Sequence, residues 1–153
     1  MDRFLSALLL VTASVMAHGA EAKHDTAKGQ RTAVEEFKAR TQHEMAACSA
    51  IASKIPRTGN EMAFIAALEP KKKCLISGEA KARGAFPDAL KQMSNNPAAS
   101  QLLKDFFGAW LAAFDNMGQN LRESNAQYEK RTADARAKYE TLWKSFKKEA
   151  AKK

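Results

Sequence analysis

The sequence has little cysteine, proline or glycine, and none of its apolar runs is long enough to span a membrane comfortably. Two cysteines in 153 residues are too few for a cysteine-rich miniature scaffold. Four prolines and seven glycines exclude a collagen-like chain. Apolar residues make up 45% and charged residues 27%, the composition of an ordinary folded protein, and a chain of this length is expected to hold one domain.

The residue spacings of common catalytic and metal sites are also missing. The chain contains no Cys-x-x-Cys pair, no Cys-x-x-Cys-His motif for haem attachment and no glycine-rich phosphate loop. Reactive side chains are concentrated only in Gln42–Cys48, where a zinc-protease motif would need a second histidine in place of Ala47. His43 and Cys48 are five residues apart, so they cannot face each other on one helix. We therefore expect a non-enzymatic protein with no catalytic residue, no metal and no cofactor.

The first 22 residues have the pattern of a cleaved signal peptide. After a basic residue comes an apolar stretch of 14 residues, Phe4–Ala17, whereas a membrane-spanning helix needs roughly 20. Ala20–Ala22 then places small residues at both recognition positions, so we expect cleavage after Ala22. An uncleaved anchor or a buried N-terminal helix is the alternative. The pattern predicts export, to the periplasm or out of the cell, and a single helical domain over residues 23–153.

Export also determines how the two cysteines are interpreted. In an oxidising compartment we expect Cys48 and Cys74 to form a structural disulfide, because the sequence offers no other cysteine. The closed loop of 27 residues would stabilise the fold by roughly 3–4 kcal/mol in the chain-entropy model. A redox-active pair would need a much shorter spacing. Free thiols and bridges between chains are the remaining alternatives.

Hydrophobic periodicity indicates a first helix over residues 26–55. Its apolar residues recur at steps of three and four with one double turn, which is the helical period. Charged residues, among them Lys38 and Glu44, are expected on its other faces. Pro56 should end the helix, because proline disfavours helical geometry in the residue before it.

Short helical segments are expected in the next part of the chain. A capping box at Thr58–Glu61 predicts the start of a helix that Pro70 stops. Residues 71–82 predict another segment, after which Gly84 and Pro87 interrupt the pattern. The sequence contains no run of alternating β-branched residues and no hairpin signal, so no strand is expected.

The longest helical pattern begins at Asn96-Pro97, where an asparagine cap and a proline in the first turn are typical of a helix start. Its register slips at Asn125. One helix over residues 97–149 would be about 80 Å long, against about 45 Å for the first helix, so we expect a break near Gly118. Without the break, the exposed end of this helix could form an oligomer with another chain. The predicted fold class is all-α, a small helical bundle with a long C-terminal helix and one disulfide.

Positive charge is concentrated in a central lysine run and on the C-terminal helix. The chain carries 25 basic and 17 acidic side chains, a formal net charge of +8. On the C-terminal helix, lysines lie beside a stripe of aromatic residues, a pattern that suits binding to another surface. The alternative is that the stripe packs on the protein's own core and the lysines are solvated. The candidate partner-binding residues are Lys71, Lys72, Lys73, Tyr139, Trp143, Lys144, Phe146, Lys147 and Lys148.

Together, export, a disulfide-stabilised bundle and basic surfaces predict a binding or adaptor protein. Its partner would be a protein with an acidic or amphipathic surface, and the chain would be an accessory subunit of a cell-envelope or secretion assembly. A periplasmic holdase-type chaperone and a protein bound to anionic membrane surfaces are the alternatives. Nucleic acid is disfavoured as a partner, because export separates the chain from it and acidic residues dilute the field of the C-terminal helix.

Overall fold

A computed structural model of the protein describes residues 31–55, 61–118 and 123–152. Within these ranges the chain forms four α-helices and no strand, so the all-α fold class is confirmed. The helices are α1 (Ala33–Ala52), α2 (Glu61–Gln92), α3 (Pro97–Asp115) and α4 (Asn125–Ala150). In the described part of the chain, no helix combines the length and apolarity needed to cross a bilayer. The signal peptide predicted at residues 1–22 lies outside the described residues.

Capping boxes mark the starts of α1 and α4. The Thr32 hydroxyl accepts a hydrogen bond from the Glu35 N–H at 3.2 Å, and the Glu35 carboxylate accepts one from the Thr32 N–H at 2.9 Å. Ser124 and Gln127 make the same reciprocal pair at 3.3 and 2.9 Å. These caps satisfy backbone donors that have no partner inside the helix. Asn125, where the register slips, is therefore the first residue of a new helix.

α2 is one helix of 32 residues, so the predicted breaks at Pro70, Gly84 and Pro87 are wrong. Each proline removes one backbone donor and frees one carbonyl, at a cost of about 3 kcal/mol. Both proline residues are exposed, which lets water reach the freed carbonyls. The opposite side of α2 packs along α1 and contacts α3. This packing outweighs the local preference of the prolines to end the helix.

α1 and α2 form an antiparallel hairpin that is fastened near both ends. The Val34 N–H donates a hydrogen bond to Oε1 of Gln92 at 3.0 Å. Further along the pair, Cys48 and Cys74 form a disulfide, with their Cα atoms 5.6 Å apart. The predicted structural disulfide is thus confirmed.

α3 and α4 form a second antiparallel hairpin. α3 ends at Asp115 and α4 begins at Asn125, so the C-terminal region breaks near Gly118 as expected. At the other end of this hairpin, the Asn96 amide donates a hydrogen bond to the carbonyl oxygen of Glu149 at 3.3 Å. The unbroken helix considered as an alternative is wrong, because folding back lets both helices bury their aromatic residues.

Aromatic rings fill the space between the two hairpins. Phe37 of α1 contacts Phe86 of α2 and both Phe106 and Phe107 of α3, with ring centroids between 5.3 and 6.0 Å apart. The two contacts with α3 are edge-to-face, a geometry that aromatic pairs favour. Phe37 is fully buried, so this cluster joins α1, α2 and α3 at the centre of the bundle.

Helices α1, α2 and α3 come close together at Gly78 of α2. A Cβ atom there would lie 2.7 Å from Cζ of Phe114 and 3.2 Å from Cβ of Glu44. Phe114 stacks on Trp110 with ring centroids 4.5 Å apart, and the Trp110 indole N–H donates to the Thr41 carbonyl at 3.1 Å. Glycine at position 78 therefore allows α1, α2 and α3 to pack together.

Candidate functional site

The aromatic candidates on α4 belong largely to the core. Tyr139 is 6% exposed and Phe146 is 2% exposed, which corrects their assignment as partner-binding residues. Trp143 is half-buried, with its ring centroid 5.1 Å from that of Phe106 and 5.0 Å from that of Phe146. This aromatic stripe packs α4 against α3, which is the alternative in which the stripe belongs to the protein's own core. Only part of Trp143 reaches solvent.

The three lysines of the central run differ in their surroundings. The Lys71 ammonium group lies against Gly118, at the place a Cβ would occupy, and burial followed by the charge of Arg131 lowers its pKa. Lys72 and Lys73 are exposed, and Nζ of Lys73 is 3.9 Å from the Glu69 carboxylate. Lys71 therefore contacts the end of the second hairpin, and only its two neighbours are available to a partner.

The lysines of α4 are accessible. Lys144, Lys147 and Lys148 are all exposed, and no carboxylate of the described residues lies within 4.0 Å of their ammonium groups. Two of them lie in the last turn, where positive charge also interacts favourably with the helix dipole. Because no ion pair of the described residues neutralises them, these three side chains form a local excess of positive charge near the end of this helix.

The two basic groups lie at opposite ends of the bundle. Lys71 contacts Gly118, just beyond the end of α3, whereas Glu149 contacts Asn96, just before its start. α3 has 19 residues, so about 28 Å separates these ends. The lysine run and the α4 lysines therefore do not combine into one binding surface.

A buried lysine that the sequence analysis did not identify lies between the hairpins. The side chain of Lys38 is 10% exposed, and its Nζ is 3.3 Å from Oε1 of Glu140. Three aromatic rings surround the ammonium group, with centroids 4.9 Å (Phe106), 5.8 Å (Tyr139) and 5.1 Å (Trp143) from Nζ. The arrangement is a cation–π cage completed by a carboxylate. The aromatic residues considered for an external partner thus hold a cation of the same chain.

Burial and the neighbouring carboxylate act in opposite directions on the pKa of Lys38 in this cage. Burial lowers the pKa of Lys38, the Glu140 carboxylate opposes that effect, and the positive charges of Lys147 and Arg136 lower it further. Lys38 follows Val34 by four residues, which places it on the same side of α1. This spacing indicates that Lys38 lies on the buried side of α1. The expectation that Lys38 lies on a polar face is therefore wrong.

Glu44 is also buried, which is a second correction to the predicted polar faces of α1. It is 3% exposed, and Nζ of Lys81 lies 3.2 Å from Oε1 and 3.3 Å from Oε2 of its carboxylate. Lys81 is exposed, so its side chain covers this carboxylate from the solvent side. The pair joins α1 to α2 beside Gly78, where a Cβ atom would lie 3.3 Å from Oε2 of Glu44.

The reactive segment Gln42–Cys48 does not assemble a catalytic group. His43 is exposed, whereas Cys48 is buried and bonded to Cys74. In residues 31–55, 61–118 and 123–152, no group of three or more histidine, cysteine or acidic side chains could hold a metal ion. Comparison of the chain with known protein families, curated proteins and solved structures finds no match. The candidate functional surface is therefore the lysine group at the end of α4.

Proposed function

We propose that this protein is an exported, non-enzymatic binding or adaptor protein that recognises an acidic partner. The observation that carries the proposal is the unneutralised group of Lys144, Lys147 and Lys148 on α4. Trp143, half-buried beside them, adds an apolar edge to the same surface. An acidic protein surface supplies the complementary charge, and an amphipathic one would also contact the indole ring.

The remainder of the bundle provides a rigid support for this surface. The Asn96 side chain bonds the carbonyl of Glu149, which anchors the last turn of α4 to the start of α3. Phe146, between the lysines in sequence, is 2% exposed and fixes the rotation of the helix. The lysines are thus presented in a defined arrangement, which reduces the entropy lost on binding.

The disulfide supports export to a non-reducing compartment. Such bonds persist in secreted and periplasmic proteins and are rare in the cytosol. We place the protein in the periplasm or outside the cell, as an accessory subunit of an envelope or secretion assembly. N-terminal sequencing and thiol labelling of the naturally produced protein test this placement. We expect a mature N-terminus at Lys23 and no free thiol, whereas an intact leader or two alkylated cysteines would contradict it.

Cross-linking in the producing cells tests the binding function. We expect one discrete cross-linked partner, identified by mass spectrometry, with the wild-type protein. Replacing Lys144, Lys147 and Lys148 together by glutamine should abolish this product. Binding of the purified partner should weaken as salt increases, because exposed charges are screened beyond about 8 Å at physiological ionic strength.

A matched triple variant controls for the change in net charge. Lys54, Lys104 and Lys130 are exposed and belong to other parts of the surface, so their replacement by glutamine should leave the product unchanged. Equal loss in both triple variants, or no partner above background with the wild-type protein, would contradict the proposal. Membrane binding is the weaker alternative, because Phe146, which would have to insert, is buried.

A further inference from the structure

α2 exposes large apolar side chains to solvent. Among the described residues, the large hydrophobic side chains that are exposed all lie on this helix: Met62 at 71%, Ile65 at 51% and Ile76 at 61%. The buried residues of α2 are Gly78, Ala82 and Ala89, which face the rest of the bundle. The apolar residues therefore lie on a second face of α2, directed away from the core.

These residues are part of a regular pattern, which we call the outer α2 stripe. Its members alternate at steps of three and four residues, the spacing of the contact positions in a coiled coil. The stripe consists of Met62, Ile65, Glu69, Lys72, Ile76, Glu79 and Arg83. From its first to its last residue it is about 32 Å long. α2 thus has one helical face that packs in the bundle and another that has the spacing of a helix–helix contact.

The central part of the outer α2 stripe is complementary to itself. Ile65 and Ile76 lie at equal distances, in sequence, on either side of the peptide bond between residues 70 and 71, and so do Glu69 and Lys72. When two copies of α2 are aligned antiparallel about that point, each Ile65 faces Ile76 of the second copy. Each Glu69 then faces Lys72 of the second copy, so the four central positions match in both directions, whereas Met62 faces Glu79.

A parallel, in-register alignment of the same helices pairs the isoleucines but lacks the match of charges. It would place Glu69 opposite Glu69 and Lys72 opposite Lys72, which is repulsive in both layers. In the antiparallel alignment, each a position of one helix faces a d position of the other, as in antiparallel coiled coils. A two-fold symmetric dimer requires such a self-complementary surface.

We propose that two copies of this chain associate, antiparallel, through the outer α2 stripe. The Cys74 disulfide joins α2 to α1 on the side opposite Ile76, so a rigid helix presents the stripe. A contact of one helix per copy is small, which is typical of a reversible dimer. The inference is independent of the binding function proposed for α4, because it rests on other residues.

Sedimentation equilibrium of the purified protein tests the dimer. We expect a reversible monomer–dimer equilibrium between about 10 µM and about 1 mM. Replacing Ile65 and Ile76 together by serine should abolish it. A wild-type protein that stays monomeric throughout, or a double variant that associates as the wild type does, would overturn the proposal. Near-UV circular dichroism of dilute samples verifies that each variant is folded.

Charge reversal tests the antiparallel register. Glu69→Lys alone and Lys72→Glu alone should each raise the dissociation constant on the order of tenfold, because two attractive contacts become repulsive. In an equimolar mixture of the two variants, opposite charges face each other again, so the mixture should associate as the wild type does. Lys104→Glu, an exposed charge reversal on α3, is the matched control and should have no effect. Single reversals that leave the wild-type dissociation constant unchanged would overturn the antiparallel arrangement.

Discussion

Replacing Gly78 by alanine should destabilise the bundle, although the same change usually stabilises a helix. In a helix interior, alanine is favoured over glycine by about 1 kcal/mol. At this position, however, the new methyl group would lie 2.7 Å from Cζ of Phe114 and 3.3 Å from Oε2 of Glu44. Neither neighbour can move easily, because Phe114 is fully buried against Trp110 and the Glu44 carboxylate is held by Lys81.

The size of the effect follows from two opposing contributions. Overpacking a core by one methyl group costs about 1–3 kcal/mol, which exceeds the gain in helix propensity. We expect Gly78→Ala to lower the free energy of unfolding by up to about 2 kcal/mol, which is the difference between these contributions. Gly84 lies in the same helix with open space around it, so Gly84→Ala should raise this free energy by about 0.5–1 kcal/mol.

Urea denaturation followed by circular dichroism measures both variants under the same conditions. The two glycines differ only in their surroundings, so helix propensity cancels in the comparison. Adding Phe114→Leu should remove part of the clash and reduce the cost of Gly78→Ala, a coupling that a double-mutant cycle detects. Equal stabilisation by Gly78→Ala and Gly84→Ala would refute the close approach of α1, α2 and α3.

Three further predictions concern the Lys38 cage and the disulfide. Glu140→Gln should cost about 1–2 kcal/mol of stability, because a buried ammonium group loses its carboxylate. Lys38→Met in that background should restore most of the loss in urea denaturation, and a further loss would contradict the cage. Burial raises the pKa of Tyr139 above its ordinary value of 10.0, so the stability it contributes is complete below pH 10 and declines as the pH rises through the folded-state pKa. Tyr139→Phe should flatten this alkaline decline in pH-dependent denaturation, and an unchanged slope would argue against burial of the hydroxyl group. Reduction of the Cys48–Cys74 disulfide should lower the free energy of unfolding by roughly 3 kcal/mol while the helices persist, with no response in a variant that has serine at both positions.

Features that depend on near neighbours in the chain could be predicted from the sequence. Apolar residues that recur every three or four positions indicate helices, because one helical face must be buried. Asn96-Pro97 predicts the start of α3, and the Asn96 side chain does accept a hydrogen bond from the Ala99 N–H at 2.9 Å. The disulfide was predictable because Cys48 and Cys74 have no competitors. In each case, the decisive interaction involves residues on one helix or a pair that has no alternative.

The tertiary structure decided where a local preference yields to packing. Pro70 and Pro87 predict helix ends, yet α2 continues through both, because it packs against α1 and α3. Gly78 was not identified as a packing residue, since a glycine required by a close neighbour has the same sequence signal as one that is merely tolerated. The neighbour, Phe114, is 36 residues away in the chain.

The candidate site illustrates the same division between local and distant interactions. Both the basic residues and the aromatic stripe of α4 could be identified from spacing alone. Whether the stripe faces a partner or the core depends on contacts with distant residues, such as Phe106 of α3. Lys38 is likewise separated from Glu140 by 102 residues and meets it only after the two hairpins pack. Periodicity specifies the direction of a side chain around its own helix. The neighbour it meets there depends on how the helices pack, which is a property of the whole chain and leaves no local pattern.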